Sequence, residues 1–180
     1  MNTHTKAFTI IETLVAITIL VIAIVGPMYS IRTALVTSYT ARDKLIATSL
    51  AQESIELVRQ RRDNNYLYNR ENQGANRSWM YGLEDLSCYS SNSTNSTFCT
   101  TDSGQDTIEV CSGDCLPLFL TANKVYSQVG SLGATETTFV RKMQLYEATP
   151  DEVRISVTVS WTTNTQPYSV TITDALYNWL

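Results

Sequence analysis

The sequence is nearly devoid of histidine, because His4 is the only one among 180 residues. Imidazole is the usual general base of Ser-His-Asp and Cys-His enzymes and a common zinc ligand. Basic charge is also scarce, since 13 lysines and arginines stand against 17 aspartates and glutamates. A nucleic-acid binder usually has a basic excess, so nucleic acid is disfavoured as a partner. No residue spacing singles out a catalytic site, metal site or cofactor, and we therefore predict that the protein is not an enzyme.

Charge is almost absent from residues 8–29, FTIIETLVAITILVIAIVGPMY, in which Glu12 is the only charged side chain. As a helix this stretch would be about 33 Å long, enough to cross the hydrocarbon core of a bilayer. A helix that is apolar all round is typical of a membrane span. A carboxylate near hydrocarbon costs about 2.5–3.5 kcal/mol and tends to mark function, although a position at the headgroup level lowers that cost.

Two ordinary interpretations of this N-terminal segment are open. The polar residues 1–7, with Lys6, fit the first region of a secretory signal peptide, but helical patterning continues past any cleavage point near Ser38–Thr40. A plain signal anchor is the second interpretation. Basic residues both precede and follow the apolar run, so the positive-inside rule does not decide its orientation.

A third interpretation uses more of the residues. The run Lys6-Ala7-Phe8-Thr9-Ile10-Ile11-Glu12, followed by Thr13 and LVAITILVIAIV, resembles the class III signal of type IV pilins and pseudopilins. That signal has a short basic leader, a small residue, Phe-Thr-Leu-Ile-Glu and an apolar run. Alanine stands at position 7, where glycine is usual.

The resemblance implies a processing site and an assembly residue. The prepilin peptidase would remove residues 1–7 by cutting between Ala7 and Phe8, and would methylate the new Phe8 amine. Glu12 would neutralise the Phe8 amine of a neighbouring subunit in a filament. Two buried charges are costly when unpaired and tolerable when paired.

Residues 30–63 have the pattern of an amphipathic helix that continues the apolar segment. Gly26-Pro27 predicts either a kink with local melting or a harmless bend. Leu50–Asn65 resembles the end of the long helix in the type IV pilus modification proteins and I-type pseudopilins. The apolar arc consists of Leu35, Tyr39, Ile46, Leu50 and Leu57, with Val36, Ala47, Ala51 and Val58 beside them.

A cluster of three arginines closes the predicted helix. Arg59, Arg61 and Arg62 place positive charge in the last turn, which the helix dipole favours. Three arginines are far fewer than the basic stripe of a DNA-binding surface, so we prefer the helix-end interpretation.

Residues 64–115 are predicted to be a polar, electronegative and exposed loop. From Ser87 to Thr107, 13 of 21 residues are Ser, Thr or Asn. Four acidic side chains leave a calcium site open, although DSGQD is more simply a turn. These are Asp102, Asp106, Glu109 and Asp114.

All four cysteines lie in this segment, at Cys88, Cys99, Cys111 and Cys115. An export signal upstream makes two disulfides the leading interpretation. Three pairings are available, and we favour Cys88–Cys99 with Cys111–Cys115 because both close short loops. A four-cysteine zinc site is disfavoured, because the spacing has no C-x2-C knuckle.

Residues 116–180 are predicted to form an antiparallel sheet. Alternation is clear from Val153 to Thr162 and weaker over Phe139–Tyr146 and Tyr168–Thr173. Three such strands in sequence form a meander whose apolar face can cover the helix. Leu116–Thr121 and Val125–Val129 are candidate short edge strands.

The predicted fold is therefore α+β, with a long N-terminal helix, half in membrane and half under a C-terminal β-meander, as in the pilin lollipop. The resemblance implies a minor pilin or pseudopilin of a type IV pilus-like or type II secretion-like filament. Its partners would be other subunits, the prepilin peptidase and, before assembly, the cytoplasmic membrane. It would start as a single-pass membrane protein and end in a cell-surface or periplasmic filament. The alternative is a membrane-anchored extracellular binding protein that never assembles.

Overall fold

The computed structural model describes residues 9–72, 74, 76–91, 97–163 and 165–179. In these residues one long helix precedes eight strands, and the helix packs on a largely antiparallel sheet, which confirms the α+β prediction at this level. The elements are α1 (Ile10–Glu71), β1 (Tyr89–Ser90), β2 (Cys99–Asp102), β3 (Thr107–Val110), β4 (Pro117–Leu120), β5 (Tyr126–Ser127), β6 (Thr135–Thr149), β7 (Glu152–Thr163) and β8 (Gln166–Tyr177).

The chain divides into two compact units at residue 43, and the first contains only the N-terminal part of α1. Every described side chain from Thr9 to Tyr39 is exposed. The helix is continuous through Pro27 in the single chain. Among the described residues α1 is the one helix long and apolar enough to cross a membrane.

The second unit begins at Lys44, and there α1 becomes buried on one face. The predicted apolar arc is correct from Ala47 onward, but Leu35 and Tyr39 are half exposed. The core side chains that α1 contributes are Ala47, Leu50, Ala51, Ile55 and Val58.

The helix ends at Glu71, eight residues beyond the predicted boundary at Asp63. Asparagine is a poor helix former, so the asparagine-rich end looked like the start of a loop. Asn65 is buried, and its amide donates hydrogen bonds to the carbonyls of Trp79 (3.2 Å) and Tyr81 (3.0 Å). These tertiary contacts extend the helix against its local propensity.

Strand β6 is the centre of the sheet. β7 pairs with it from Val140 to Thr149, and β8 pairs with the other edge of β7. The second edge of β6 is shared by β1, β2 and β4, and β5 continues the sheet from β4. The two predicted edge strands are thus present, but only β5 lies at an edge.

Residues 64–115 differ from the predicted loop. Besides the end of α1, they contain β1 and the β2–β3 hairpin, in which Cys99 pairs with Val110 and Asp102 with Thr107. Their Ser, Thr and Asn content conceals these strands, and the alternation in β3, Thr-Ile-Glu-Val, is only four residues long. Backbone pairing with β6 stabilises β1 and β2 as strands, although their own sequences do not predict strands.

The core lies between α1 and the sheet. The side chains of β7 that were predicted to share one face are all buried there, and β6 contributes every second residue from Phe139 to Leu145. The β7 residues are Val153, Ile155, Val157, Val159 and Trp161.

Candidate functional site

The predicted assembly residue Glu12 lies in the first turn of α1. Thr9 and Glu12 have the spacing of a capping box, and the Glu12 N–H lies 3.1 Å from the Thr9 carbonyl and 3.4 Å from Thr9 Oγ1. A negative charge at this end also complements the helix dipole. The T-x-x-E spacing marks this helix start, a signal that the membrane pattern obscured. Ala7 and Phe8, the predicted processing residues, lie outside the described part of the chain.

The surface around Glu12 is almost wholly apolar. An 18-residue window of α1 has a mean hydropathy of 2.4, and none of it is buried within the chain. Thirteen large apolar side chains between residues 10 and 29 are each more than half exposed, namely Ile10, Ile11, Leu14, Val15, Ile17, Ile19, Leu20, Val21, Ile22, Ile24, Val25, Met28 and Tyr29. Soluble monomers rarely expose continuous apolar surface on this scale, so lipid or protein must cover it.

Five serine and threonine hydroxyl groups of this segment bond to carbonyl groups of the helix itself. Thr13 donates to the Ile10 carbonyl at 2.8 Å, and Thr18 donates to the Val15 carbonyl at the same distance. Ser30, Thr33 and Thr37 each donate to the carbonyl four residues earlier. A hydroxyl that bonds its own helix can enter hydrocarbon without leaving an unpaired donor.

The four cysteines form the favoured pairs. Cys88 and Cys99 join the start of β1 to the start of β2, with their Cα atoms 5.6 Å apart. Cys111 and Cys115 close the turn after β3, with Cα atoms 4.9 Å apart. Disulfides persist in oxidising surroundings such as the extracellular space and the periplasm.

The cluster of Arg59, Arg61 and Arg62 forms ion pairs and hydrogen bonds with other residues of the second unit. Arg59 contacts Glu56 and Asp174, both at 2.5 Å, and Arg61 donates to the Asp106 carbonyl at 3.0 Å. Arg62 pairs with Asp63 at 2.8 Å. Burial tends to lower the pKa of Arg59, but the bond to Asp174 and the charges of Asp174 and Glu56 raise it overall. These arginines stabilise the end of α1 and its contacts with β8 and the β2–β3 hairpin.

The four acidic residues considered for calcium are not brought together. Asp114 pairs with Lys142 at 2.7 Å, and Asp106 lies 3.9 Å from Arg61. Glu109 is exposed on β3. Within the described residues, no group of three or more Asp, Glu, His or Cys side chains could hold a metal ion.

Asp102 instead organises the β2–β3 hairpin. It is 2% exposed, and its Oδ1 accepts the N–H groups of Gly104 (3.0 Å) and Gln105 (3.2 Å). Its Oδ2 accepts the Ser127 hydroxyl (2.5 Å) and the Gln128 N–H (2.8 Å). Burial alone would raise the pKa of Asp102, but these four hydrogen bonds lower it below its usual value.

Arg141 is a buried residue whose role the sequence analysis missed. It is fully buried on β6, where it donates to the carbonyls of Leu50 (3.1 Å) and Thr101 and lies 3.4 Å from Glu53. Burial lowers the pKa of Arg141, although the charges of Glu53 and Asp102 oppose that effect. Burial likewise raises the pKa of Glu53 against the pull of Arg141. In the weak alternation over Phe139–Tyr146, Arg141 falls on the same face as Phe139 and Met143, and a charged residue on an apolar face is the signal that the sequence offers.

Comparison with known proteins adds no family. No protein-family model matches the chain, and no curated protein or solved structure matches it either. The function must therefore be inferred from the residues themselves: the sequence from Lys6 to Glu12, the exposed apolar part of α1 and the disulfide-linked strands.

Proposed function

We propose that the protein is a filament subunit of the type IV pilin-like class, either a minor pilin or a pseudopilin. One observation carries the proposal. A single unbroken helix is exposed and apolar over its N-terminal part, has one carboxylate in its first turn, and is buried against a sheet over its C-terminal part. The N-terminal part of α1 therefore needs an apolar environment outside the chain, whereas its C-terminal part is covered by the sheet.

The N-terminal part of α1 needs an apolar cover throughout the life of the protein. The cytoplasmic membrane would supply it before assembly, and the apolar helices of neighbouring subunits would supply it in a filament. The internally bonded threonines are compatible with both surroundings. The type IV pilus modification proteins and I-type pseudopilins are the group that the end of the long helix resembles most.

Glu12 supplies the reason to prefer a filament over a plain anchor. A carboxylate in the first turn of a helix gains about 0.3–1 kcal/mol from the helix dipole, which is less than the cost of about 2.5–3.5 kcal/mol for a charge near hydrocarbon, so a plain anchor does not explain Glu12. Cleavage by the prepilin peptidase after Ala7 would create a positive amine at Phe8, next to hydrocarbon. Pairing that amine with Glu12 of the adjacent subunit would remove two isolated charges at once.

The disulfides support an outward location for the unit that begins at Lys44. Both pairs lie in that unit, and such bonds persist outside the reducing cytosol. The protein would thus cross the cytoplasmic membrane once and then leave it for a filament at the cell surface or in the periplasm.

Substitution of Glu12 by alanine tests the proposal. We expect membrane insertion to persist or improve, because a charge is removed from hydrocarbon. We expect the amount of the variant in sheared filaments to fall by about tenfold, because the neighbouring Phe8 amine loses its partner. The measurement is the ratio of filament protein to total membrane protein, for wild type and variant side by side.

Glu71→Ala is the matched control, since Glu71 is an exposed carboxylate at the other end of the same helix. It should enter filaments as wild type does. The alternative, a membrane-anchored binding protein that does not assemble, predicts no filament fraction for any of the three proteins. Equal incorporation of the Glu12→Ala variant at equal expression would refute the pairing mechanism. A subunit at the filament tip has no neighbour ahead of it, so the copy number per filament must first show that the protein is not confined to the tip.

A further inference from the structure

Strand β8 is a long and unprotected edge of the sheet. It pairs with β7 over twelve residue pairs without a register shift, and no described strand pairs with its other edge. Natural proteins usually protect a sheet edge with short strands, bulges or lysine side chains. The other free edges of this sheet are short, since β3 has four residues and β5 has two. β8 has twelve residues and no lysine or arginine, and its only proline, Pro167, stands at its second position.

The backbone groups on the free edge of β8 can be identified from the β7–β8 hairpin. A connection of two residues, 164–165, joins the strands, and Thr163 is paired with Gln166. The residues that flank such a turn bond to each other, and bonded and non-bonded pairs alternate from there. Even-numbered residues of β8 therefore bond to β7, whereas odd-numbered residues turn their N–H and C=O groups outward. Pro167 agrees with this assignment, because proline is tolerated where the missing N–H would face solvent.

A groove of about 490 Å³ lies between β8 and α1. Ile172 on β8 and the buried Ile55 on α1 are its apolar lining, and no residue of β7 lines it, so it lies outside the β7–β8 pair. Ile172 and Val170 pack against the core from their strand but are only half-buried. A strand added to β8 would place every second side chain over this groove and complete the cover of both residues.

The groove has a net negative charge. Glu56 and Asp174 each lie 2.5 Å from the Arg59 guanidinium, and no other charged residue of the described chain lines the groove. Two carboxylates therefore share one cation, and the Glu56 side chain is 65% exposed. A basic side chain of a partner would be attracted to this place, and an acidic side chain would be repelled.

A second copy of the chain does not suit this edge. Two β8 strands pair in antiparallel fashion about a two-fold axis normal to the sheet. That axis reverses the direction of α1, which packs on the sheet from Ala47 to Val58, so the two helices would leave their units at Lys44 in opposite directions. Two apolar segments that leave in opposite directions could not enter one membrane from the same side.

We infer that the free edge of β8 binds an extended segment of another protein, which adds to the sheet as an antiparallel strand. The segment has apolar side chains opposite Val170 and Ile172 and a basic side chain opposite Asp174. Main-chain hydrogen bonds to the odd-numbered residues of β8 supply affinity, and the groove selects the alternate side chains. Every residue of the edge and groove belongs to the unit that begins at Lys44, so this binding does not depend on filament assembly.

The peptide acetyl-Thr-Lys-Thr-Val-Thr-Val-Thr-amide is the probe that tests this edge. In antiparallel register with Ser169–Ala175, its lysine lies opposite Asp174 and its two valines lie opposite Ile172 and Val170. The isotope-labelled full-length protein is held in non-ionic detergent, and the peptide is titrated while the amide chemical shifts are followed by NMR. We expect a Kd on the order of 100 μM, because a free peptide must be ordered before its main-chain bonds form.

N-methylation of the peptide distinguishes main-chain pairing from binding by side chains alone. A methyl group on the threonine opposite Thr171 blocks an N–H that faces β8, and should weaken binding by about tenfold or more. A methyl group on the valine opposite Ile172 blocks an N–H that faces solvent, and is the matched control, with a Kd within about twofold of the unmodified peptide. Equal affinity of the two methylated peptides would overturn the inference without any change to the protein.

Amide hydrogen exchange locates the added strand. Saturating peptide should slow exchange of the Thr171 N–H by about tenfold or more, because that group gains a partner. Exchange of the Ile172 N–H should not change, since it already bonds to β7. Unchanged exchange at Thr171 with bound peptide would contradict strand addition.

Thr171→Pro removes one outward N–H and should abolish measurable binding, whereas Thr171→Ala keeps that N–H and should leave the Kd within about twofold. Replacing the peptide lysine by glutamate should weaken binding about tenfold at low salt. Equal affinity of the lysine and glutamate peptides would contradict the basic side chain of the partner. A dimer formed through β8 in the absence of peptide, detected by light scattering, would identify a second copy as the occupant and overturn the inference.

Discussion

Buried charge in the second unit is concentrated at a few residues that join α1 to the sheet. Arg141 on β6 and Glu53 on α1 lie within ion-pair distance, and Asp102 on β2 contributes to the same field. Removing one member of such a group leaves the others uncompensated in a low-dielectric interior. Arg141, Glu53 and Asp102 therefore specify how β2 and β6 pack against α1.

Asp102→Asn is expected to destabilise the protein by about 2 kcal/mol at neutral pH, because a charged acceptor with four donors is replaced by one neutral oxygen. The folded-state pKa of Asp102 is lowered, so its contribution is fully present above the unfolded pKa, near about 4, and is lost as the pH falls through the folded value. The difference in Tm between wild type and variant should thus be constant from about pH 7 to pH 5 and shrink below about pH 4.

Glu53 contributes with the opposite sign, because its folded pKa is raised by burial and in part by the charge of Asp102, so Asp102→Asn also reduces the Glu53 contribution. Asp106→Asn is the matched control, since Asp106 is an exposed carboxylate of the same hairpin and asparagine tolerates its φ of 53°. It should change stability by less than about 0.5 kcal/mol. A Tm difference for Asp102→Asn that persists unchanged to about pH 3 would show that its carboxylate charge has no part in stability.

At the scale of elements, α1 is one unbroken helix whose N-terminal part is exposed and whose C-terminal part packs in the core. Leu50 is 3% exposed and packs in the core, whereas Leu35 is 52% exposed. Leu50→Ala should lower the free energy of unfolding of the second unit by about 3 kcal/mol, the usual cost of such a cavity. Leu35→Ala should change it by less than about 0.5 kcal/mol. Thermal unfolding in non-ionic detergent, followed by near-ultraviolet circular dichroism, measures both, and equal losses would mean that the burial boundary on α1 is misplaced.

The disulfides predict a specific peptide map. Digestion without reduction should yield Cys88 linked to Cys99 and Cys111 linked to Cys115, with no free thiol. The map must separate pairings and not only count thiols, because Cys115 Sγ lies 4.0 Å from the carbonyl of Cys99. Replacing the first pair by serine should cost about 3 kcal/mol and the second about 2 kcal/mol, since the first closes the longer loop. Four free thiols, or Cys99 linked to Cys115, would contradict this arrangement.

The strands that alternate could be predicted from the sequence, and those that do not could not. Apolar residues occupy every second position from Val153 to Trp161, and the structure buries all of these apolar residues. Strand β2 is Cys-Thr-Thr-Asp and β3 is Thr-Ile-Glu-Val, two runs too short for composition to separate them from a loop, and only the pairing of β2 with β6 reveals the hairpin. The last two turns of α1 escaped prediction for a related reason, because Asn65 is held by tertiary hydrogen bonds.

Only part of the candidate site could likewise be predicted from the sequence. Glu12 stands out from the sequence because one charge in an apolar run is conspicuous. A pocket beside the last turns of α1 is lined by residues more than one hundred positions apart, from Arg62 to Tyr177, and no local pattern brings them together. Unusual residues within one segment can be identified from the sequence, whereas a cavity depends on the path of the whole chain.

At the scale of the whole molecule, the exposed apolar part of α1 and the disulfide-linked unit require different surroundings. A membrane anchor and a filament subunit both meet that requirement, and they differ first in what happens at Ala7 and Phe8. Only the filament account needs a free amine at Phe8, because only that account gives Glu12 a partner.

The mass of the mature N-terminal peptide is the most direct test of the filament account. The protein is purified from membranes and from sheared filaments of its own host, and the peptide that contains Glu12 is sequenced by mass spectrometry. The account predicts a chain that begins at Phe8 and carries one methyl group on its amine, in both fractions. An N-terminus at Met1, or one near Thr40 as a secretory signal peptidase would leave, would contradict it.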